Sequence, residues 1–208
     1  VQLQGDEQIV LSIGDPDTAD LDLELYTSDA TPLLVDASTS DDPTEDLPAP
    51  AQPGSYFVRV FAVTGASTYV LSISDASELT AVRRRAKRLS DPFVPGEVLL
   101  SHAGARDVQR YRIERGARGP HYRFAVTARG AGSTGASTPP AVRLPAVTLP
   151  PGAGMDTATE QRYRTLLAVR AAGRETGVAV AEVNVLRQPL RTPNDFFYDL
   201  QWHYGAID

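Results

Sequence analysis

Asp20, Asp22 and Glu24 alternate with Leu21, Leu23 and Leu25, a spacing that sets three carboxylates on one face of a strand. Clustered carboxylates are what a hard cation wants, so this row can gather a calcium ion; it can equally be a solvated outer face. The only histidines, His102, His121 and His203, stand far apart, and no pair has zinc-ligand spacing. Cysteine is absent, which removes disulfides, thiolate nucleophiles and Cys-based zinc sites. The Gly-Ala-Ser-Thr runs at 65–68 and 135–138 lack the nucleophile-elbow context of a catalytic serine. The glycine-rich stretch 130–135 lacks the Gly-Lys-Ser/Thr of a phosphate loop. No catalytic set and no cofactor motif is expected, calcium aside.

Charge divides the chain. Residues 1–78 hold 15 acids and one base, Arg59, while residues 79–208 hold 11 acids and 19 bases. A sign change at one point suggests a domain boundary. No nucleic-acid motif accompanies the basic half, and nucleic acid is not an expected partner. A hydrophobic fraction of 42% fits a folded protein, and no apolar run reaches the roughly 20 residues that span a bilayer.

The elements that must carry these residues begin with short strands. Alternating or apolar runs at 8–13, 21–26, 32–36, 56–62 and 68–74 are separated by Gly14-Asp15-Pro16-Asp17, Ser40-Asp41-Asp42-Pro43 and Gln52-Pro53-Gly54. Several short strands without helical period predict an antiparallel β-sandwich over residues 1–76. The run DLDLELY at 20–26, the acidic 40–42, then PGSYFVRV at 53–60 and GASTYVLSI at 65–73 resemble, in that order, the bacterial pre-peptidase C-terminal domain attached to secreted peptidases. Such domains usually have another strand before the one at residue 8, so on that resemblance the chain is expected to start inside the module. Phe57 and Tyr69 can belong to a polymer-binding face or simply pack. Residues 77–91, with Arg83-Arg84-Arg85-Ala86-Lys87-Arg88, read as an exposed basic linker or as a segment docking onto the acidic sandwich.

Over 92–187 the expected strands are 93–100, 121–128, 142–149 (an edge strand, because Pro145 interrupts it) and 177–186. A helix is predicted from about 156 to 172. Thr157-Ala158-Thr159-Glu160 forms its capping box, Tyr163, Leu166, Leu167 and Ala171 its apolar stripe, and Gly173 its stop. Residues 105–115 are ambiguous on their own pattern. Val108, Tyr111 and Ile113 partly fit a helix, while Tyr111 and Ile113 also alternate as in a strand.

The segment Phe93-Val94-Pro95-Gly96-Glu97-Val98-Leu99-Leu100 and the stretch Ala181-Glu182-Val183-Asn184 resemble the start and end of subtilase propeptides. After Gln188, Pro189, Leu190, Arg191 and Thr192 comes Pro193-Asn194-Asp195-Phe196-Phe197-Tyr198-Asp199-Leu200-Gln201-Trp202-His203. It resembles the opening of the mature catalytic domain in secreted bacterial subtilisin-like serine proteases. The resemblance implies an α+β ferredoxin-like propeptide domain, with a helix at 105–115, acting as chaperone and inhibitor. Its processing and inhibitory tail would be Gln188–Thr192, with Leu190 suited to an apolar pocket. Pro193, Asn194, Asp195, Tyr198, Gln201, Trp202 and His203 would open the mature domain within 188–208. The implied partner is the cognate catalytic domain, and the implied location secreted or periplasmic. That family's D-T/S-G, H-G-T and G-T-S-M-A motifs do not occur, so the chain alone is expected to be inactive. Rival expectations are a stand-alone secreted binding module for a polymer or cell-surface partner, and a pro-region whose role is purely structural.

Overall fold

A computed structural model of the chain describes residues 1–75, 87–103, 108–115, 121–126, 141–143 and 149–186. The leucine alternation sets the first layer. Leu21, Leu23 and Leu25 point inward from β3 (Asp20–Thr27) and are buried against Ile9, Leu11 and Ile13 of β2 (Glu7–Ile13). Around β3 lie β1 (Gln2–Leu3), β4 (Leu34–Ser38) and β6 (Gly54–Thr64), in the order β1-β6-β3-β4. Around β2 lie β5 (Thr44–Pro48) and β7 (Tyr69–Asp75), in the order β5-β2-β7. All pairings are antiparallel, and the two sheets enclose Leu3, Leu47 and Tyr56 with the residues above.

The second half is built on a five-stranded antiparallel sheet in the order β11-β10-β9-β8-β12. Its strands are β8 (Phe93–His102), β9 (Gln109–Arg115), β10 (His121–Val126), β11 (Ala141–Arg143) and β12 (Val178–Val185). The one helix among the described residues, α1 (Thr157–Gly173), packs on β8 and β12.

This arrangement corrects the expected α+β ferredoxin-like propeptide domain. Three antiparallel sheets and a single helix make the chain β-rich. Where the resemblance implied a first helix, Gln109–Arg115 is a strand paired with both β8 and β10. Tyr111 and Ile113 follow the period of two: Tyr111 is fully buried and Ile113 packs against the same core. Local alternation outweighed the family pattern there.

Two finer expectations also shift. The helix is capped by Asp156, whose Oδ1 accepts from Thr159 N at 2.6 Å, and not by a box starting at Thr157. The stop is Arg174, whose N–H reaches the Ala171 and Ala172 carbonyls in right-handed geometry, so Gly173 supplies no left-handed turn. A short strand, β1, does lie ahead of residue 8; pairing at β5 was not anticipated, because the acidic Thr44-Glu45-Asp46 gives no strand signal.

The apolar core of the second half is continuous with the first. Tyr26, Leu34 and Ala37 belong to the same cluster as Phe93, Val98, Leu100, Tyr163, Leu166, Leu167 and Val183. The helix therefore lies between two layers. Tyr163, Arg170 and Arg174 share one side of it, and Gln161, Thr165 and Ala172 the opposite side. Gly96 N donates to Thr165 Oγ1 at 2.8 Å on the β8 side.

Candidate functional site

The acidic face of β3 meets this helix, and its three carboxylates are buried and paired with helix side chains. Asp20, Asp22 and Glu24 are all buried, Asp22 and Glu24 to 1% exposure. They are matched in reverse order along α1. Tyr163 donates to Glu24 Oε1 at 2.8 Å. Arg170 grips both oxygens of Asp22, its Nη1 lying 3.1 Å from Oδ2. Arg174 donates to Asp20 Oδ2 at 2.7 Å and to Asp41 Oδ1 at 2.6 Å. Glu24 also accepts from Tyr26 at 2.9 Å and lies 3.2 Å from Arg59 Nη1.

A fork-to-fork guanidinium–carboxylate pair is among the strongest charge-assisted contacts. The pair still carries a large cost of removal from water. Burial is the main influence on Asp22 and lifts its carboxyl to about 7, with Arg170 pulling the other way. The neighbouring acids hold the Arg170 guanidinium above its ordinary range against the opposing effect of burial. Burial and the adjacent Glu24 charge raise the phenols of Tyr26 and Tyr163, which therefore remain donors.

A second cluster holds the joint. Lys87 and Arg88 are not exposed linker residues. Lys87 Nζ donates to Thr44 O at 2.6 Å and lies 3.4 Å from Asp46, while Arg88 Nη2 is 3.3 Å from the same carboxylate. Lys87 O accepts from Thr39 N, and Leu89 N donates to Ala37 O, so residues 87–89 run along β4. Glu45 is fully buried beneath them and accepts from Ser38 and Ser40; burial raises its carboxyl despite nearby Lys87. Arg162 closes the joint from the helix, with Nε 2.8 Å from Leu89 O and its guanidinium 4.2 Å from the Phe93 ring centre. Arg83–Arg85 lie outside the described residues.

Chemically, this is a set of matched charges that joins two layers. Among the described residues no group of three or more His, Asp or Glu side chains has the geometry to hold a metal ion, and guanidinium and hydroxyl groups take the place a cation would need. His102 lies beside Tyr111, 3.4 Å from its hydroxyl, with no serine–carboxylate relay described there. Phe57 and Tyr69 are exposed but do not share a face. Phe57 pairs with Tyr26 on the helix side of β6, and Tyr69 pairs with Ile13 toward the inner core.

The expected tail, Gln188, Pro189, Leu190, Arg191 and Thr192, lies outside the described residues. So do Pro193, Asn194, Asp195, Tyr198, Gln201, Trp202 and His203. Sequence reasoning missed Arg170, Tyr163 and Arg174 as partners of the acidic row. The signal was present as complementary charge in the two halves, without anything to assign the pairs. No helix among the described residues is long and apolar enough to cross a membrane. Compared with known proteins, the chain matches no family model, no curated protein and no solved structure.

Proposed function

We propose that this chain is the pro-region that precedes a subtilisin-like serine endopeptidase, assisting the folding of that domain and blocking its cleft. The observation that carries the reading is the Pro193–His203 sequence, which resembles the start of such a catalytic domain and is separated by seven residues, 186–192, from the last strand of the five-stranded sheet. The sheet offers a suitable surface. One face is occupied by α1 through Val98, Leu100 and Val183. The opposite face carries Leu99 among the polar Glu97, Arg110, Glu182 and Asn184, all half-buried. Such a face can lie on the helices of a catalytic domain, and the residues after β12, which include Pro189 and Pro193, can occupy the cleft as an added strand.

In this reading the working unit is β-rich, with its helix engaged by the acidic layer, and it acts through the opposite sheet face and the residues after β12. The test is inhibition. The purified chain, added to the mature protease encoded with it, is expected to inhibit at micromolar concentration and to speed refolding of the denatured enzyme. A truncation after Leu186 is expected to keep the folding effect and lose inhibition. No inhibition at micromolar concentration, with no gain in refolding yield, would sink the proposal.

A further inference from the structure

The three-stranded sheet has two unlike edges. At β5, Thr44 O is taken by Lys87, Glu45 and Asp46 are engaged by Lys87 and Arg88, and Pro48 ends the strand. Charge and proline are the usual means of closing a sheet edge. At β7 the only such feature among its residues is Asp75, at the end of the strand. Tyr69-Val70-Leu71-Ser72-Ile73-Ser74 carries no charge, proline or glycine, and it pairs with β2 through seven residues without a bulge.

The side chains of β7 are unusually open. Val70 is 66% exposed, and Leu71 and Ile73, which point toward the inner core, are 37% and 41% exposed. The backbone groups of the edge can be assigned. Ile13 N donates to Pro43 O and Ala49 N donates to Glu7 O, so the odd residues of β2 turn to the β5 side. Antiparallel alternation then turns the even residues of β2 to Val70, Ser72 and Ser74. Tyr69, Leu71, Ile73 and Asp75 are left with N–H and C=O groups directed out of the sheet.

We propose that β7 is a contact through which two copies of this chain pair, antiparallel and edge to edge, about a twofold axis at Ser72. The strand is complementary to itself in that register. Leu71 of one copy stands opposite Ile73 of the other, and Tyr69 opposite Asp75, with outward backbone groups meeting in each pair. The inner row of Ile9 and Ile73 continues into Leu71 and Leu11 of the second copy, which covers the open end of both cores. The acidity of the first half does not oppose this register: Asp20, Asp22 and Glu24 are buried against α1, and Asp75 is the only acid on the strand.

The chain contains no cysteine, so one can be placed without background. In this register the two Ser72 residues form a non-hydrogen-bonded pair with Cα atoms about 4.5 Å apart, within the span of a disulfide. The experiment combines sedimentation of the full chain at about 100 µM, a concentration suited to a small edge contact, with oxidation of Ser72→Cys and of the control Ser55→Cys. The expected result is a molar mass moving from 22.4 kDa toward twice that value. Ser72→Cys is expected to crosslink at least about tenfold faster than Ser55→Cys, because only the former is held at a disulfide distance. Ile73→Pro removes an outward N–H and is expected to restore the monomer. If that variant does not fold, Val70→Lys, on the outer face, replaces it. A wild-type monomer at that concentration, or equal crosslinking at 72 and 55, overturns the proposal.

Discussion

Tyr163 of α1 donates to Glu24 of β3 over 2.8 Å, across 139 residues of chain. Tyr26 and Arg59 complete the shell of that carboxylate. Removing a donor from a buried acceptor costs the desolvation of the group left behind. Tyr163→Phe is therefore expected to lower stability by about 1–3 kcal/mol, read from urea unfolding. A loss below about 0.5 kcal/mol would mean that the contact carries no net weight.

Arg170 is the more sensitive residue, because it faces Asp22, Asp20 and Asp41 at once. Arg170→Leu leaves buried acids without their cation and is expected to cost roughly 3–5 kcal/mol. Arg170→Lys is expected to recover only part of this, since an ammonium cannot match both oxygens of Asp22. Equal stability of the Lys variant and the parent chain would remove the two-point grip from the account.

The pH dependence has an unusual sign. Asp22 is lifted by burial to about 7 from an ordinary 3.8. A raised carboxyl contributes stability that is fully present below its unfolded pKa and is lost as pH rises through the folded value. Glu45 and Asp36 shift in the same direction, also mainly through burial. Glu7 and Asp156 are lowered, Asp156 chiefly by the Thr159 N–H and Glu7 by backbone N–H groups that outweigh a larger opposing burial effect, so their contributions fade only in stronger acid. Calorimetric melting is expected to give a higher Tm near pH 5 than near pH 8, and Asp22→Asn is expected to flatten that slope. An unchanged slope in the variant would place the titration elsewhere.

Two glycines separate backbone strain from collision. Gly65 follows β6 with φ +66, and a Cβ there would strike the Thr18 carbonyl oxygen; Gly177 has φ +90 and open space around it. Gly177→Ala is expected to cost about 1 kcal/mol from conformation alone, and Gly65→Ala clearly more. Comparable denaturation midpoints for the two variants would show that the β6–β7 turn relaxes freely.

What could be read from the sequence was mostly periodicity. The leucines of β3 announced an inner face, and Tyr163, Leu166 and Leu167 announced a helix stripe; all six are buried. Periodicity identifies a face without saying what covers it. The acids of β3 therefore looked suited to water or calcium, when their partners stand 148 and 154 residues later, on Arg170 and Arg174. The helix showed only one stripe because its opposite buried side is made of Thr165 and Ala172, which carry little apolar signal. At 109–115 the alternation was legible, and the borrowed pattern of a propeptide family overrode it. The tail residues expected to act on a protease, Gln188–Thr192, lie beyond the last described residue, Leu186.

The distance in sequence between Asp22 and Arg170, 148 residues, is also an interval in time. Ribosomes add about 5–20 residues per second, so β3 emerges on the order of ten seconds before the helix that will cover it. Through that interval its carboxylates are hydrated and repel those of neighbouring nascent chains. The same row that later becomes a buried seam thus serves first as a solubilising coat, shed only when the arginines arrive.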